Sequence, residues 1–337
     1  MSSLGYVWGK VRARARCKLV QALRNNIIYP AMYPAWWRMK LLSHHTEQSR
    51  AYLAAVPNPG AGIGHQIANW TAGLWFARVF GLEHAHIPFS TPQWEALLGF
   101  GEGKDSLESL VKNNGYRKVS LPLFDEFNQF EVEQIKKIIA SYNDKKIVFV
   151  LEQDQFYRDQ YGVMDDIKHR FYHAAAREKD KLIYSNEHFN IAIHVRRGDI
   201  AAGQHTSNPN LLMRWQETNY FKSVLTSILK QLKTKKYIKI YLFSQGHKED
   251  FVDFNEFDNV EYCLNMNAQE SFLHMVFSDL LIISKSSFSY KPALLSNGIK
   301  VCPRNFWHGY PQDEHWVIAE ENGSLSHNAK WQLSTKS

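Results

Sequence analysis

Two consecutive arginines follow an apolar stretch in the middle of the sequence. Ile191-Ala192-Ile193 leads into His194-Val195-Arg196-Arg197-Gly198-Asp199. In open parallel sheets, ligands bind beyond the carboxyl ends of strands, and a guanidinium matches the paired oxygens of a phosphate without losing its charge. Because adjacent side chains of a strand point to opposite faces, we expect Arg196 to reach a ligand while Arg197 braces the sheet or Asp199. The spacing leaves a structural Arg–Asp pair open as an alternative.

A run of serines follows a second apolar stretch. Ser284-Lys285-Ser286-Ser287-Phe288-Ser289 stands between residues 280–283 and a predicted helix. The first amides of a helix and the positive end of its dipole favour an anion, and hydroxyl groups add donors. Ser286, Ser287 and Ser289 are therefore candidate anion-binding residues. Simple capping of the helix by Ser286 or Ser287 explains the same pattern.

A glycine-rich turn, Gly60-Ala61-Gly62-Ile63-Gly64-His65-Gln66, is the third candidate. It lacks the glycine spacing and the later acidic residue of the dinucleotide-binding fingerprint. We interpret Gly62 and Gly64 as glycines that let a ligand approach the backbone closely. His65 is a candidate for a catalytic or substrate-binding role, with a structural histidine as the alternative.

Strands and helices alternate from about residue 51 onward. Such alternation predicts parallel sheets with covered faces. The pattern predicts strands at Tyr52–Val56, His84–Phe89, Lys118–Leu121, Lys146–Leu151, Phe189–Val195, Tyr237–Ser244, Val260–Leu264, Leu280–Ser284 and Ile299–Pro303. It predicts helices at His65–Phe80, Glu131–Tyr142, Asp159–Lys179, Trp215–Lys233, His247–Phe254, Ala268–Phe277 and Phe288–Asn297.

The predicted fold class is α/β, with two Rossmann-like parallel-sheet domains facing a cleft. We expect one such domain over residues 51–185 and a second over residues 186–312. A basic, aromatic N-terminal segment (1–50) precedes them, and a C-terminal extension (313–337) follows.

The positive charge of the chain is concentrated in its first 50 residues. The net charge is +7, and residues 1–50 hold nine Lys/Arg against one Glu, so 9 − 1 = +8 lies there and 7 − 8 = −1 remains. A nucleic-acid-binding body is therefore not expected. Tryptophan and tyrosine lie among these basic residues, which is typical of segments that contact an anionic membrane surface. The alternatives are a solvated arm, a strap packed on the body, or a contact with RNA.

Other patterns narrow the class of protein. Three cysteines are too few for a disulfide framework, and neither a membrane span nor a secretory leader is found. We expect a cytoplasmic protein, peripheral at the membrane. The histidine pairs lack a further metal ligand at suitable spacing, and the Gly-x-Ser-x-Gly elbow of hydrolases does not occur. No metal and no cofactor are expected.

The three motifs together resemble those of GDP-fucose-dependent fucosyltransferases. Residues 193–199 are similar to the His-x-Arg-Arg-Gly-Asp signature shared by the α1,2-, α1,6- and protein O-fucosyltransferases. Residues 62–66 are similar to the Gly-Leu-Gly-Asn-Gln stretch of the α1,2 enzymes, and residues 286–290 resemble their Ser-Ser-Phe-Ser-Trp motif. The pattern is closest to the α1,2 type and covers about residues 53–307.

This resemblance implies a GT-B fold, an inverting reaction and no required metal. It also implies that residues 51–185 form the acceptor-side domain and residues 186–312 the nucleotide-sugar-binding domain. It implies that Arg196 holds the β-phosphate of GDP-fucose, that His194 lies near the nucleoside, and that Ser286, Ser287 and Ser289 neighbour the diphosphate or nucleoside. Transfer of L-fucose to a hydroxyl of a glycan or glycolipid, such as a lipid-linked oligosaccharide, is the expected function. A transferase for another nucleotide sugar and a catalytically silent binding protein are the alternatives.

The sequence departs from the family pattern at three places. The α1,6 enzymes carry a glutamate shortly after the arginine pair, whereas residues 202–205 here read Ala-Gly-Gln-His. Position 65 is His instead of Asn, and Tyr290-Lys291 replaces a Trp pair. The candidates for a catalytic base are therefore Asp199, His205 and His65, in that order.

Overall fold

A computed structural model describes residues 51–57, 60–143, 145–152, 159–198, 200 and 212–326. The predicted membrane-contacting segment, residues 1–50, lies outside the described residues. The described chain divides into two compact units. The second unit takes Ala61–Ile67, Pro88–Glu102 and the described residues after Arg158, and the first unit holds the rest.

Ten strands form two sheets within the described residues, and every strand pair is parallel. The first unit has four strands in the order β2-β1-β4-β3, and the second has six in the order β10-β9-β8-β5-β6-β7. The expected α/β class with two parallel sheets is confirmed. The strands are β1 (Tyr52–Val56), β2 (Glu83–His84), β3 (Arg117–Ser120), β4 (Ile147–Glu152), β5 (His188–His194), β6 (Tyr237–Ser244), β7 (Val260–Leu264), β8 (Leu280–Ile282), β9 (Ile299–Pro303) and β10 (Trp316–Ala319).

The strands alternate with eight α-helices and two 3-10 helices in the described part of the chain. None of these helices has the length and apolar character needed to cross a bilayer. The α-helices are α1 (Ile63–Val79), α2 (Pro92–Leu98), α3 (Leu107–Lys112), α4 (Gln129–Ala140), α5 (Met164–His173), α6 (Thr218–Gln231), α7 (Ala268–Phe277) and α8 (Ser287–Leu295). The 3-10 helices are Ala175–Lys179 and Lys248–Phe254.

Helix α4 shows how the sequence builds the first unit. Asn128 caps its start, because its side chain accepts hydrogen bonds from the amides of Phe130 and Glu131. The apolar residues recur at helical spacing on one face, and they pack with Leu53 of β1 and Phe149 of β4 in one core cluster. They are Val132, Ile135, Ile138 and Ile139.

Strand β5 lies in the middle of the second unit. Ile191, Ala192 and Ile193 are all completely buried, because both faces of a central parallel strand are covered. Ile191 and Ile193 share a core cluster with Val224 and Leu225 of α6. Burial of each such side chain contributes about 1.5–3 kcal/mol to the stability of the fold. Residues 195–198 therefore follow a strand that is firmly anchored in the core.

Two predictions of local structure were wrong. The expected strand His84–Phe89 is limited to Glu83–His84, and Pro88 at its far end has no amide to donate to a sheet. The expected helix Asp159–Lys179 begins only at Met164, and it stops at Ala174, whose extended ψ of 139° separates α5 from a 3-10 helix. The sequence pattern also did not predict strand β10, which lies within residues 313–337 and pairs with β9.

Candidate functional site

The strand order of the second unit places its switch point between β5 and β8. From β5 the chain builds β6 and β7 on one side, and then β8, β9 and β10 on the other. Neighbouring connections thus lead in opposite directions at β5 and β8, which opens a crevice at the carboxyl ends of these strands. The arginine motif follows β5 and the serine motif follows β8. The topology therefore brings the two motifs together.

The two arginines make different contacts at the end of β5. Arg197 is 7% exposed; its Nη1 donates to the carbonyl of Arg196 at 2.8 Å and to that of Gln216 at 3.1 Å. Its guanidinium also lies 4.0 Å from the ring centroid of Trp215. Arg196 is half-buried and lines a cavity of about 350 Å³, which Arg197 also borders. Hydrogen bonds and the ring of Trp215 thus hold Arg197 in place at the border of the cavity, which Arg196 also lines.

Gly198 ends the motif in a conformation that favours glycine. Its φ is +69°, and a Cβ there would lie 2.0 Å from Oε1 of Gln245. A side chain at this position would displace Gln245, which lines the cavity.

His194 connects the two strands at the switch point. Its Nδ1 lies 2.8 Å from Oγ of Ser284, and its ring lies 5.4 Å from that of Phe288. Burial, together with the positive charges of Arg196 and Arg197, lowers the pKa of His194 to about 3. The imidazole is therefore neutral at physiological pH and acts as a hydrogen-bonding group.

The serine motif combines helix capping with exposure to the cavity. Ser286 is the N-cap of α8, and its Oγ accepts from the amide of Phe288 at 3.2 Å. Ser286 and Ser287 both line the cavity. Ser289 is completely buried; its Oγ accepts from the amide of Ser284 at 3.2 Å and lies 3.3 Å from the carbonyl of Ser286. Ser289 therefore closes the loop and is not among the residues that line the cavity.

The glycine turn packs directly on the start of α8. A Cβ on Gly64 would lie 2.9 Å from Cβ of Ser287 and 3.0 Å from its carbonyl carbon. A Cβ on Gly62 would meet no described atom within 4 Å. Gly62, Gly64 and His65 all line the same cavity. The absence of a side chain at Gly64 thus lets the start of α8 pack closely, whereas the space beside Gly62 is open.

The cavity is strongly cationic. Three arginines line it, namely Arg196, Arg197 and Arg214, and no Asp or Glu is found among its described lining residues. The guanidinium of Arg214 also lies 5.4 Å from the ring centroid of Trp307. Sequence reasoning missed Arg214, and it missed Trp94, Gln245, Met266 and Ser271 of the lining. Asp199 and His205, two candidates for the base, lie outside the described residues.

Gln216 joins the two motifs, and no sequence signal marked it. The residue is 7% exposed. Its backbone carbonyl accepts from Arg197, and its Oε1 accepts from the amide of Lys285 at 2.7 Å. One buried residue thus connects the end of β5, through its backbone carbonyl, to the loop after β8, through its side chain.

Comparison with known proteins gives structural likeness only. No family model matches the chain, and no curated protein sequence matches it. Among solved structures, an α-1,6-fucosyltransferase NodZ co-crystallised with GDP is 12% identical, with a TM-score of 0.45, over 84% of this chain and 98% of that one. POFUT1 in complex with GDP-fucose is 9% identical, with a TM-score of 0.41, over 76% and 97%.

A FUT1 variant from Arabidopsis thaliana in complex with GDP is 11% identical, with a TM-score of 0.40, over 86% of this chain and 77% of that one. Such low identities and TM-scores do not show that this chain shares the substrate or the reaction of the three proteins.

Within the described residues, no group of three or more His, Cys, Asp or Glu is arranged to hold a metal ion.

Proposed function

We propose that this protein is a glycosyltransferase that moves L-fucose from GDP-fucose to a hydroxyl of a glycan or glycolipid. The observation that carries the proposal is the cavity at the switch point. Arg196, Arg197, Arg214 and the start of α8 converge on it, and its described lining contains no carboxylate. Such a site stabilises a ligand with several negative charges, as a diphosphate has.

In the proposed reaction the chemistry is concentrated on the leaving group. When the bond from the fucose anomeric carbon to the diphosphate breaks, negative charge grows on the β-phosphate. A guanidinium fixed at the end of a buried strand stabilises that charge without reorganisation of solvent. Arg196 would contact the β-phosphate, and Arg197 and Arg214 would add to the positive field. The mechanism we propose needs no metal ion.

The acceptor hydroxyl would attack from the face opposite the diphosphate and invert the anomeric centre. A carbon with oxocarbenium-like character needs only modest help from a base. His65 is exposed and lines the cavity at the start of α1. A neutral imidazole nitrogen can accept a hydrogen bond from a hydroxyl group, so we retain His65 as a base candidate beside Asp199 and His205.

The choice of GDP-fucose rests on the resemblance of the three motifs. We place the reaction at a cytoplasmic membrane surface, because residues 1–50 combine nine basic residues with aromatic ones. Loss of binding to anionic vesicles on deletion of residues 1–50, with donor binding unchanged, would support this placement. Unchanged vesicle binding would refute it.

A donor panel tests the proposal directly. The full chain is incubated with GDP-fucose, GDP-mannose, UDP-galactose and UDP-N-acetylglucosamine, each with a glycan acceptor mixture and with and without EDTA. We expect turnover of GDP-fucose alone, unchanged by EDTA. Turnover of another donor would keep the transferase assignment and replace the sugar. Stabilisation by GDP in a thermal shift with no turnover of any donor would favour a silent binding protein.

A further inference from the structure

A second cavity lies at the amino-terminal edge of the six-stranded sheet. It has a volume of about 810 Å³, within the usual size of ligand pockets. Its lining includes His188 and Asn190 at the start of β5, Lys236 before β6 and Asp279 before β8. The arginine motif follows the other, carboxyl-terminal end of β5. Along β5, Asn190 of this cavity and His194 of the other are four residues apart, or roughly 13 Å at about 3.3 Å per residue.

Buried polar groups of this cavity keep unused hydrogen-bonding capacity. Asn190 is 5% exposed, and its Nδ2 donates to the carbonyl of Ser185 at 3.0 Å. No described residue donates to its Oδ1, although that atom is buried. Nδ1 of His188 is likewise buried and has no hydrogen-bond partner in the described part of the chain. Buried groups of this kind normally have partners, so a ligand with hydroxyl groups has something to bind here.

Arg177 and Asp180 add a half-buried ion pair to the lining. Nη1 of Arg177 lies 3.2 Å from Oδ2 of Asp180, and the two side chains are 11% and 17% exposed. Burial raises the pKa of Asp180 and lowers the pKa of Arg177, which shows that desolvation outweighs their mutual attraction. A ligand hydroxyl that donates to the carboxylate or accepts from the guanidinium would restore part of the lost solvation.

Charge and shape narrow the class of ligand. The two cations, Arg177 and Lys236, are balanced by Asp180 and Asp279. Helix α7 ends at Phe277 beside the cavity, and the negative end of its dipole disfavours an anion. The rings of Tyr172, Tyr184 and Phe277 supply apolar surface. A neutral ligand with both hydroxyl groups and apolar faces meets all of these conditions.

We propose that this cavity binds a neutral saccharide, at a site distinct from the cationic cavity. Sugar hydroxyls both donate and accept, so they match a lining that offers both kinds of polar group, such as the ammonium of Lys236 and the carboxylate of Asp279. The C–H faces of a pyranose ring pack against aromatic rings. Saccharide binding here does not require that the other cavity bind GDP-fucose.

The test uses the full chain and a panel of methyl glycosides of neutral hexoses and N-acetylhexosamines, with binding followed by saturation-transfer NMR and titration. Asn186 is exposed at the cavity and is the position to fill. We expect at least one glycoside to bind, and Asn186→Trp to weaken its affinity at least about 10-fold, or about 1.4 kcal/mol. The matched control is Asn114→Trp, at an exposed position of the first unit, which should leave the affinity unchanged.

Addition of saturating GDP separates the two cavities. Glycoside binding that persists with GDP and is lost in Asn186→Trp supports the proposal, whether or not any donor is turned over. Three results overturn it: no glycoside binds, binding survives in Asn186→Trp, or GDP displaces the glycoside. GDP affinity measured on Asn186→Trp reports on the other cavity alone, so failure of either proposal is recognised separately.

Discussion

The two edges of the six-stranded sheet differ in electrostatic character, although the same strands form both. Arg196, Arg197 and Arg214 line the carboxyl edge, with no acid among the described lining residues. The amino edge pairs two cations with two carboxylates. Topology adds to the difference, because in βαβ connections helices run back against the strands. Helix starts with their free amides lie at the carboxyl edge, and helix ends lie at the amino edge.

The strongest test of this contrast is removal of the cation at the carboxyl edge. Arg196→Ala is expected to lower donor turnover at least about 100-fold, the scale of losing a transition-state charge partner. Arg196→Lys should recover only part of it, since an ammonium lacks the planar fork. Steady-state kinetics with GDP-fucose and an acceptor mixture measure both. Arg304→Ala is the control, because Arg304 forms an exposed ion pair with Glu320 in the same unit and such pairs contribute little. Full activity of Arg196→Ala would contradict the assignment.

A pair of glycine variants separates protein packing from ligand approach. In Gly64→Ala the new Cβ would press on Ser287 at 2.9 Å, so we expect a loss of about 1–3 kcal/mol in unfolding free energy together with weaker GDP binding. Gly62→Ala meets open space and should keep the stability. Denaturant unfolding and calorimetric titration with GDP give the two quantities. Equal stability of both variants would show that α8 yields to the added methyl.

The buried imidazole at the switch point predicts a dependence of stability on pH. The pKa of His194 in the folded protein is about 3, below the value of about 6.5 in an unfolded chain. The unfolded state therefore binds the proton first as the pH falls. Above about pH 6.5 this stability is fully present, and below it the unfolding free energy drops by about 1.4 kcal/mol per pH unit. His194→Gln should remove this slope in denaturant titrations between pH 6.5 and 4. An unchanged slope would contradict the neutral, buried state.

The smallest effect on donor turnover is expected at Gln216, which connects the arginine motif to the serine motif. Gln216→Leu leaves the carbonyl for Arg197 but removes the acceptor of the Lys285 amide, which should cost about 1–3 kcal/mol of stability. We expect KM for the donor to rise by about 5- to 10-fold with a smaller change in kcat, because the loop after β8 loses its position. Gln312→Leu, at an exposed position, is the control. A change in kcat alone would argue against a positioning role.

Much of the secondary structure could be predicted from the sequence, because the residue patterns that determine it are short-range. Four strands and α7 occur at the predicted residues, among them Tyr237–Ser244, where β-branched and aromatic residues dominate. Helix α2 was missed although Thr91, Pro92 and Gly99 provide an N-cap, a first-turn proline and a left-handed end. These residues would have been sufficient to predict a short helix. Strand β10 offers only four residues, too few for a period to emerge.

By itself, the sequence determined the alternation of strands and helices, the parallel α/β class and the positions of the arginine, serine and glycine motifs. Only the tertiary structure decided that β8 pairs with β5, which makes the crevice and places His194 against Ser284. It also turned Ser289 inward and brought Gln216 and Arg214 to the site. The physical reason is that apolar periodicity specifies which residues are buried, whereas strand order depends on hydrogen bonds between segments about 90 residues apart.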